Sequence, residues 1–171
     1  MPSRVSAVAG AWAAAAGLGA ALLLAVAGGV TGWLYATQFV PDRATNAAAA
    51  DAALTAAKDG TVAMLSYAPE SLDQDFTDAK THLTGDFLSY YNQFTEQIVT
   101  PAAREKSVKT AASVVRAAVS EIAPDTAEVL VFINQTTTSE ENPDGAFAAS
   151  SVKVGLKKID GRWLINTFDP V

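Results

Sequence analysis

Cysteine is absent from this chain of 171 residues, and histidine occurs once, at His82. Without cysteine there are no disulfide bonds, no thiol chemistry and no cysteine-ligated metal site. One histidine among dispersed carboxylates matches no known metal-binding spacing. The sequence also has no Gly-rich phosphate loop and no nucleophile motif. It therefore predicts no enzyme activity, no cofactor and no metal.

Positive charge is scarce as well. The chain has 12 Lys and Arg against 18 Asp and Glu, which gives a net charge of −6. Nucleic-acid binding needs clustered Lys and Arg, and so does attachment of a domain to an anionic membrane surface. The composition therefore argues against both functions.

Charge of either sign is missing from Val5 to Ala36, where more than half of the residues are Ala or Gly. In a helix, the spacing of Trp12 and Trp33 corresponds to about 32 Å. A hydrocarbon core is about 30 Å thick, and indole rings favour its two interfaces. The pattern predicts a transmembrane helix over 5–36, with Trp12, Trp33 and Tyr35 as anchors at the membrane interfaces.

The sparse flanking charges predict how this span is oriented. Arg4 precedes it, so the positive-inside rule places residues 1–4 in the cytoplasm and the span in the plasma membrane. Residues 37–44 would be a linker and 45–171 an extracytoplasmic domain. The alternative is a cleaved signal peptide, because Ala25-Val26-Ala27 fits a cleavage site. The apolar sequence that continues through Tyr35 favours the uncleaved anchor.

Small residues recur along the predicted span at intervals of four. The stripe contains Gly17, Ala21, Ala25 and Gly29, and a GxxxG pair is formed by Gly28 and Gly32. Small residues let helix backbones approach closely in lipid, so this stripe is a candidate helix–helix interface. The alternative is chance, since the segment is rich in Ala and Gly.

After residue 44 the apolar pattern changes from helical to strand-like at about residue 108. An Ala-rich stretch over 45–65 predicts a helix, and helical spacing of apolar residues continues from Leu72 to Ile98. Four β-branched runs follow, over 109–122, 126–138, 147–159 and 162–169. This order predicts an α+β domain whose helices pack on a four-stranded antiparallel meander.

The Asp160-Gly161 turn predicts the register of the last hairpin, with Leu156 opposite Ile165 and Val154 opposite Thr167. One face of the sheet would then pack under the helices. The opposite face would also carry apolar side chains: Leu130, Phe132, Leu164 and Phe168. Either lysine stems and loops cover that face, or a partner protein does, and the size of the patch favours the partner.

One polar stripe remains as a candidate for chemistry. His82, Asp86 and Tyr90 are spaced by four and would share one face of a helix. They could form a polar relay, but an amphipathic surface helix produces the same pattern on its solvated side. The second interpretation is favoured.

Three stretches, "SYAPESLDQDF", "LTGDFLSYY" and "DGRWLINTFDPV", give the chain a family resemblance. In their order and spacing, after an N-terminal apolar helix, they resemble the Mce-associated membrane proteins of mycobacteria and related actinobacteria. The resemblance implies an NTF2-like cone after one transmembrane helix. It implies no catalytic residue, since that family has no chemical motif.

The function that this resemblance implies is that of an accessory subunit. The chain would stabilise an Mce-type importer of fatty acids or sterols, with the permease helices, the Mce-domain proteins and membrane lipid as its partners. Two alternatives remain open: a membrane-tethered domain that binds a small apolar ligand, and an isomerase or dehydratase on the same fold.

Overall fold

The computed structural model describes residues 26–35, 37 and 45–171. Helices make up the first half of the folded domain, which we define as residues 45–171. They are α1 (Ala47–Leu65), α2 (Leu72–Lys80), α3 (Gly85–Phe94), a π-helical turn (Thr95–Val99) and α4 (Thr100–Lys106). The helix predicted over 45–65 is confirmed, and the Asn46 side chain accepts a hydrogen bond from the Ala49 N–H at 3.0 Å at its start.

The second half is a four-stranded antiparallel sheet in the order β1-β2-β3-β4. The strands are β1 (Lys109–Ile122), β2 (Thr126–Thr138), β3 (Ala146–Ile159) and β4 (Arg162–Pro170), so the predicted meander is confirmed. Asp160 and Gly161 both have positive φ, of 50° and 80°. That backbone is the one a two-residue hairpin turn requires, and Asp-Gly tolerates it.

The core lies between α1 and one face of the sheet, which we term the inner face. Val129, Val131 and Ile133 of β2 are at most 1% exposed, and Ala53 and Ala57 of α1 are fully buried. Full burial of a Val or Ile side chain contributes about 1.5–3 kcal/mol. The inner-face residues predicted on β3 and β4 are buried as expected: Val152, Val154, Leu156, Trp163 and Ile165.

The register of the last hairpin agrees with the prediction only as far as Leu156 opposite Ile165. Beyond that pair, β4 contains a bulge at Asn166, so that Gly155 faces Thr167 and Val154 faces Phe168. A Cβ atom on residue 155 would collide with the Thr167 hydroxyl, which explains the glycine. The predicted pairing of Val154 with Thr167 is therefore wrong.

This bulge moves Phe168 to the other side of the sheet. Its partner Val154 is fully buried on the inner face, and Phe168 itself packs half-buried against the core. The prediction that Phe168 lies on the opposite face is therefore wrong as well. A period of two assumes an unbroken strand, and one inserted residue reverses every side chain beyond it.

Backbone hydrogen bonds connect the helical half to β4. The Ile165 N–H donates to the His82 carbonyl at 2.8 Å, and the Thr84 N–H donates to the Ile165 carbonyl at 2.9 Å. The turn before α3 is thereby fixed to the centre of β4. As a result, α3 lies beside the edge of the sheet where Phe168 emerges.

Residues 26–34 form a separate helical segment. Among the residues that the structure describes, no helix combines the length and the hydropathy needed to cross a membrane. Most of the span predicted over 5–36, the N-terminal residues 1–4 and most of the linker 37–44 lie outside the described residues. Their boundaries stay predictions. Residues 45–171 form one compact unit.

Gly60 marks the closest approach of α1 to the sheet, and its substitution should destabilise the domain. A Cβ atom there would lie 2.6 Å from the Ile165 Cδ1 atom and 3.2 Å from the His82 Cβ atom. Alanine usually gains about 1 kcal/mol over glycine in a helix. Here we expect the cost of overpacking to exceed that gain. Gly60→Ala should lower the free energy of unfolding by about 1–3 kcal/mol in urea titrations.

Ile165→Val removes the colliding Cδ1 atom and provides the control for this prediction. Alone it should cost about 0.5–1.5 kcal/mol. The double variant Gly60→Ala/Ile165→Val should lose less stability than the sum of the two single losses. If the two single losses of stability simply add in the double variant, the contact between residue 60 and the Ile165 Cδ1 atom does not cause the destabilisation.

Candidate docking surface

The outer face of the sheet, opposite the helices, holds three of the four residues predicted there. Leu130 and Leu164 are half-buried, and Phe132 is 45% exposed. Lys153 lies over part of this face, where its Nζ atom forms an ion pair with the Glu128 Oε2 atom at 3.3 Å. Lysine stems therefore cover part of the patch, and Phe132 remains open to solvent.

A second apolar surface runs from β4 along α3, and the sequence did not predict it. Four aromatic rings stack in a row, in the order Phe168, Phe87, Tyr90, Phe94; we term this row the aromatic ladder. Successive ring centroids are 6.3, 6.3 and 6.0 Å apart, with interplanar angles of 16°, 26° and 13°. The stacking geometry is favourable, so the rings hold one another in place.

The ladder becomes more exposed toward its helical end. Phe168 and Phe87 are half-buried, while Tyr90 is 60% exposed and Phe94 39% exposed. Beside its inner end is a surface groove of about 360 Å³ whose rim includes Asp86 and Asp169. This arrangement provides a rigid apolar strip bordered by acidic side chains.

The π-helical turn Thr95–Val99 directly follows the ladder. Thr95 is 2% exposed, and its hydroxyl donates to the carbonyls of Tyr91 at 2.8 Å and Asn92 at 3.1 Å. Ile98, which α-helical spacing placed on the buried stripe, is 58% exposed. A π-turn inserts one residue into a helix, rotates the residues beyond it and is frequent at functional sites.

The predicted polar stripe is not assembled on one helix. His82 lies in the turn between α2 and α3, before Gly85, whose φ is +63°. Asp86 is in the first turn of α3, and the Tyr90 ring belongs to the ladder. The three residues do not share one helix face, because α2 ends at Lys80 and α3 begins only at Gly85.

His82 instead borders a groove of about 520 Å³ with Asp51, Asp59 and Arg162. Within residues 45–171 no hydrogen bond joins the His82 side chain to a carboxylate, and the described residues contain no group of three potential metal ligands.

Tyr91 is buried, whereas its neighbour Tyr90 is exposed. Tyr91 is 7% exposed, and its hydroxyl donates to the Met64 carbonyl at 3.1 Å. Burial, together with smaller contributions from Tyr67 and Asp75, raises the pKa of the Tyr91 hydroxyl well above its usual range. The neutral form of Tyr91 therefore belongs to the folded state.

The helix interface predicted in the N-terminal segment is described only in part. Gly28 and Gly32 lie in the helical residues 26–34, Gly29 lies between them, and a Cβ atom on any of the three would meet open space. Trp33 and Tyr35 are 64% and 59% exposed. The remaining residues of that prediction lie outside the described part of the chain: Trp12, Gly17, Ala21 and Ala25. The interface and the anchors stay predictions.

Comparison with known proteins identifies relatives in mycobacteria. No sequence profile of a known family matches the chain. The chain is 61% identical over 150 residues to the uncharacterized protein Rv1362c of Mycobacterium tuberculosis. The aligned residues make up 88% of this chain and 68% of that protein. It is 45% identical over 116 residues to the outer membrane protein Rv1973 of the same species. Here the aligned residues make up 68% of this chain and 72% of that protein.

Solved structures share the fold at low sequence identity. The periplasmic domain of DotI has a TM-score of 0.58 and 15% identity over 71% of this chain and 94% of that one. CagV, a VirB8 homolog of Helicobacter pylori, has a TM-score of 0.55 and 9% identity over 71% of this chain and 97% of that one. The predicted α+β architecture, with helices packed on a four-stranded antiparallel sheet, is thus shown for the folded domain, which shares its fold with the DotI and CagV domains.

The predicted location in the plasma membrane, with a cytoplasmic N-terminus, is wrong. The relative that is 45% identical is named an outer membrane protein. The prediction failed because hydropathy reports how readily a segment enters a hydrocarbon layer and does not indicate which membrane contains it. Its orientation depended on Arg4 alone.

Tyr91→Phe should change the pH dependence of stability. A folded-state pKa raised above the usual 10.0 contributes stability that is fully present below pH 10 and is lost as the pH rises further. Urea titrations between pH 8 and pH 11 should show a shallower alkaline decline for Tyr91→Phe than for the wild type. At pH 8 the variant should be less stable by about 1 kcal/mol, because the Met64 carbonyl loses its donor.

Tyr90→Phe provides the matched control, because it removes a hydroxyl from an exposed neighbouring ring. An unchanged alkaline decline in Tyr91→Phe would contradict the assignment of the pH dependence to the buried hydroxyl.

Proposed function

The chain belongs to the mycobacterial family of Rv1362c and the outer membrane protein Rv1973, and we propose that it is a non-catalytic accessory subunit of a cell-envelope complex. It docks onto that complex through the aromatic ladder. The resemblance to Mce-associated proteins names the class of complex, an Mce-type transporter of fatty acids or sterols. Its partners are the permease and Mce-domain subunits, in contact with membrane lipid.

The exposed aromatic ladder is the observation that carries this proposal. Aromatic side chains are enriched at the centres of protein interfaces, where they supply much contact area for little lost entropy. Exposed apolar strips of this kind are uncommon on isolated domains and mark interaction sites. Because Asp86 and Asp169 border its inner end, the complementary surface is apolar with Lys or Arg at its edge.

The three stretches that carry the resemblance also meet in space, which supports the same region. Tyr67 and Phe76 of the first stretch have ring centroids 5.4 Å apart, and Phe76 lies 6.3 Å from Tyr91 of the second. Phe87 of the second stretch stacks on Phe168 of the third. They form one continuous framework, and the ladder is its exposed edge.

Close packing argues against the two alternative functions. A lipid cavity would need apolar space between the helices and the inner face, whereas α1 and β4 pack closely at Gly60 and the groove of about 520 Å³ beside Trp163 has Asp51, Asp59 and Arg162 in its lining. An isomerase or dehydratase would use an acid–base pair beside His82, and no hydrogen bond joins His82 to Asp51 or Asp59, the carboxylates that line the same groove. Docking needs only the surface that the folded domain presents.

Tyr90→Ala and Phe94→Ala should weaken association while the domain stays folded. Central aromatic residues of an interface typically cost 2 kcal/mol or more when truncated, or about 30-fold in affinity. The intact variants would be purified from mycobacterial membranes in mild detergent, and the recovered proteins measured by mass spectrometry. We expect the wild type to recover permease and Mce-domain subunits, and both variants to lose them.

Val115→Ala is the matched control, because Val115 is 54% exposed on β1 and lies away from α3. It should retain the partners. Equal loss in all three variants would reject the ladder as the docking surface. Recovery of the wild type alone would reject the accessory function and direct attention to lipid binding.

A further inference from the structure

The groove beside the aromatic ladder has an edge strand of the sheet as one of its walls. Residues 166–169 of β4 line one side of this groove of about 360 Å³, and Asp86, Phe87 and Tyr90 of α3 line the other. β4 pairs with β3 on one side only. On its other side, within residues 45–171, a single parallel bridge joins Leu83 to Ile165 before the chain turns into α3.

The direction of the Phe168 backbone groups follows from the register of the sheet. The Lys158 N–H donates to the Asp125 carbonyl on the β2 side, and the pairing of β2 with β3 is unbroken. Backbone groups alternate in direction along a strand, so those of Val154 also point toward β2. Phe168 is opposite Val154. Its N–H and C=O groups therefore point away from β3, toward the side of β4 on which α3 lies.

These two backbone groups of Phe168 are unpaired within residues 45–171. On this side of β4 the backbone hydrogen bonds are those of Ile165, which accepts from Thr84 and donates to His82. Thr167 and Asp169, opposite Gly155 and Lys153, direct their groups toward β3 instead. An unpaired N–H and C=O at the edge of a sheet form a template for another strand.

We propose that this groove accepts an extended segment of the partner protein, which adds to β4 as a short strand opposite Phe168. This segment is the docking element of the proposed function, on which the inference rests. It runs antiparallel to β4, so that one of its residues exchanges both N–H···O=C bonds with Phe168. Directly opposite residues point to the same face of a sheet, so that residue places an apolar side chain beside Phe168, against Phe87 and Tyr90.

The acidic side chains of the groove specify a basic residue in the segment. Asp86 and Asp169 form no ion pair within residues 45–171. In an antiparallel strand, the residue that precedes the apolar one lies opposite Asp169. Opposite charges in such facing pairs are stabilising, so a Lys or Arg fits there. Strand addition thus combines backbone bonds for affinity with side-chain contacts for specificity.

The limits of the open edge select a short segment rather than a second sheet. At one end, Leu83 already occupies the position beside Ile165. At the other end, Pro170 points in the same direction as Phe168 but has no N–H to donate. The bulge at Asn166 interrupts β4 between them. Prolines and bulges are means by which edge strands resist pairing with another sheet.

Amide hydrogen exchange in the intact chain, followed by NMR in mild detergent, tests the unbound state. The Phe168 amide should exchange at least about ten-fold faster than the amides of Thr167 and Asp169, which are bonded to β3. If the Phe168 amide is as protected as these two neighbours, another part of the chain or a second copy already occupies the edge. That result overturns the proposal.

Two synthetic peptides test the bound state. The first is acetyl-Thr-Thr-Lys-Ile-Thr-Thr-Thr-amide, and the second differs only by an N-methyl group on its isoleucine, which removes the N–H that would donate to the Phe168 carbonyl. The first should slow exchange of the Phe168 amide and bind at least about ten-fold more tightly than the second. Equal binding of the two peptides, binding without protection of Phe168, or no binding of the first at millimolar concentration overturns the proposal.

Reversal of one charge tests the position of the basic residue. Asp169→Lys should weaken binding of the first peptide about two- to five-fold, and should strengthen by a similar factor the binding of a peptide with Glu in place of Lys. Glu121→Lys is the matched control, because it makes the same change of charge at an exposed position of β1, on the opposite edge of the sheet. Equal effects of the two substitutions would overturn the assigned register.

These outcomes are distinguishable from those that test the proposed function, because they need only the purified chain and synthetic peptides. If Tyr90→Ala and Phe94→Ala lose the partners but the two peptides bind equally, the ladder remains the docking surface and strand addition is rejected. If the first peptide binds as expected but the wild type recovers no partner from membranes, the strand site remains and the accessory function is rejected.

Discussion

The burial of the sheet's inner face beneath α1 is the interaction on which this domain depends. Val129, Val131 and Val154 are fully buried there, and α1 contributes small residues, Ala53 and Ala57, that let the helix lie close. Gly60 sets the limit of that approach, because its missing side chain leaves space for Ile165. Once the helix and the sheet are in contact, the turn before α3 bonds to β4, and α3 has one position available.

A single inserted residue in β4 then determines where the aromatic ladder begins. The bulge at Asn166 moves Phe168 to the side of the sheet where α3 lies. Phe168 stacks on Phe87, and the stacking continues to Tyr90 and Phe94, which are exposed. A strand without the bulge would direct Phe168 to the outer face and leave α3 without its first stacking partner. The aromatic ladder is therefore a consequence of the irregularity in β4.

The core and the exposed apolar side chains of the domain are separate. The core is closely packed around the inner face, whereas Tyr90 and Phe94 of the ladder and Phe132 of the outer face are among the large apolar side chains that remain exposed.

The fold class, the four strands and the closing hairpin were predictable from the sequence, because apolar periodicity and turn residues are local signals. The outer-face residues Leu130, Phe132 and Leu164 followed from the same alternation. The ladder could not be predicted in this way. It brings together residues far apart in the chain, and it depends on a bulge that strand periodicity does not reveal.

The sequence by itself determined which segments are helices and strands and which strand face is apolar. Only the tertiary structure decided that Phe168 faces α3 and that Tyr90 and Phe94 remain exposed. Periodicity fixes each element separately, whereas exposure depends on what the other elements cover.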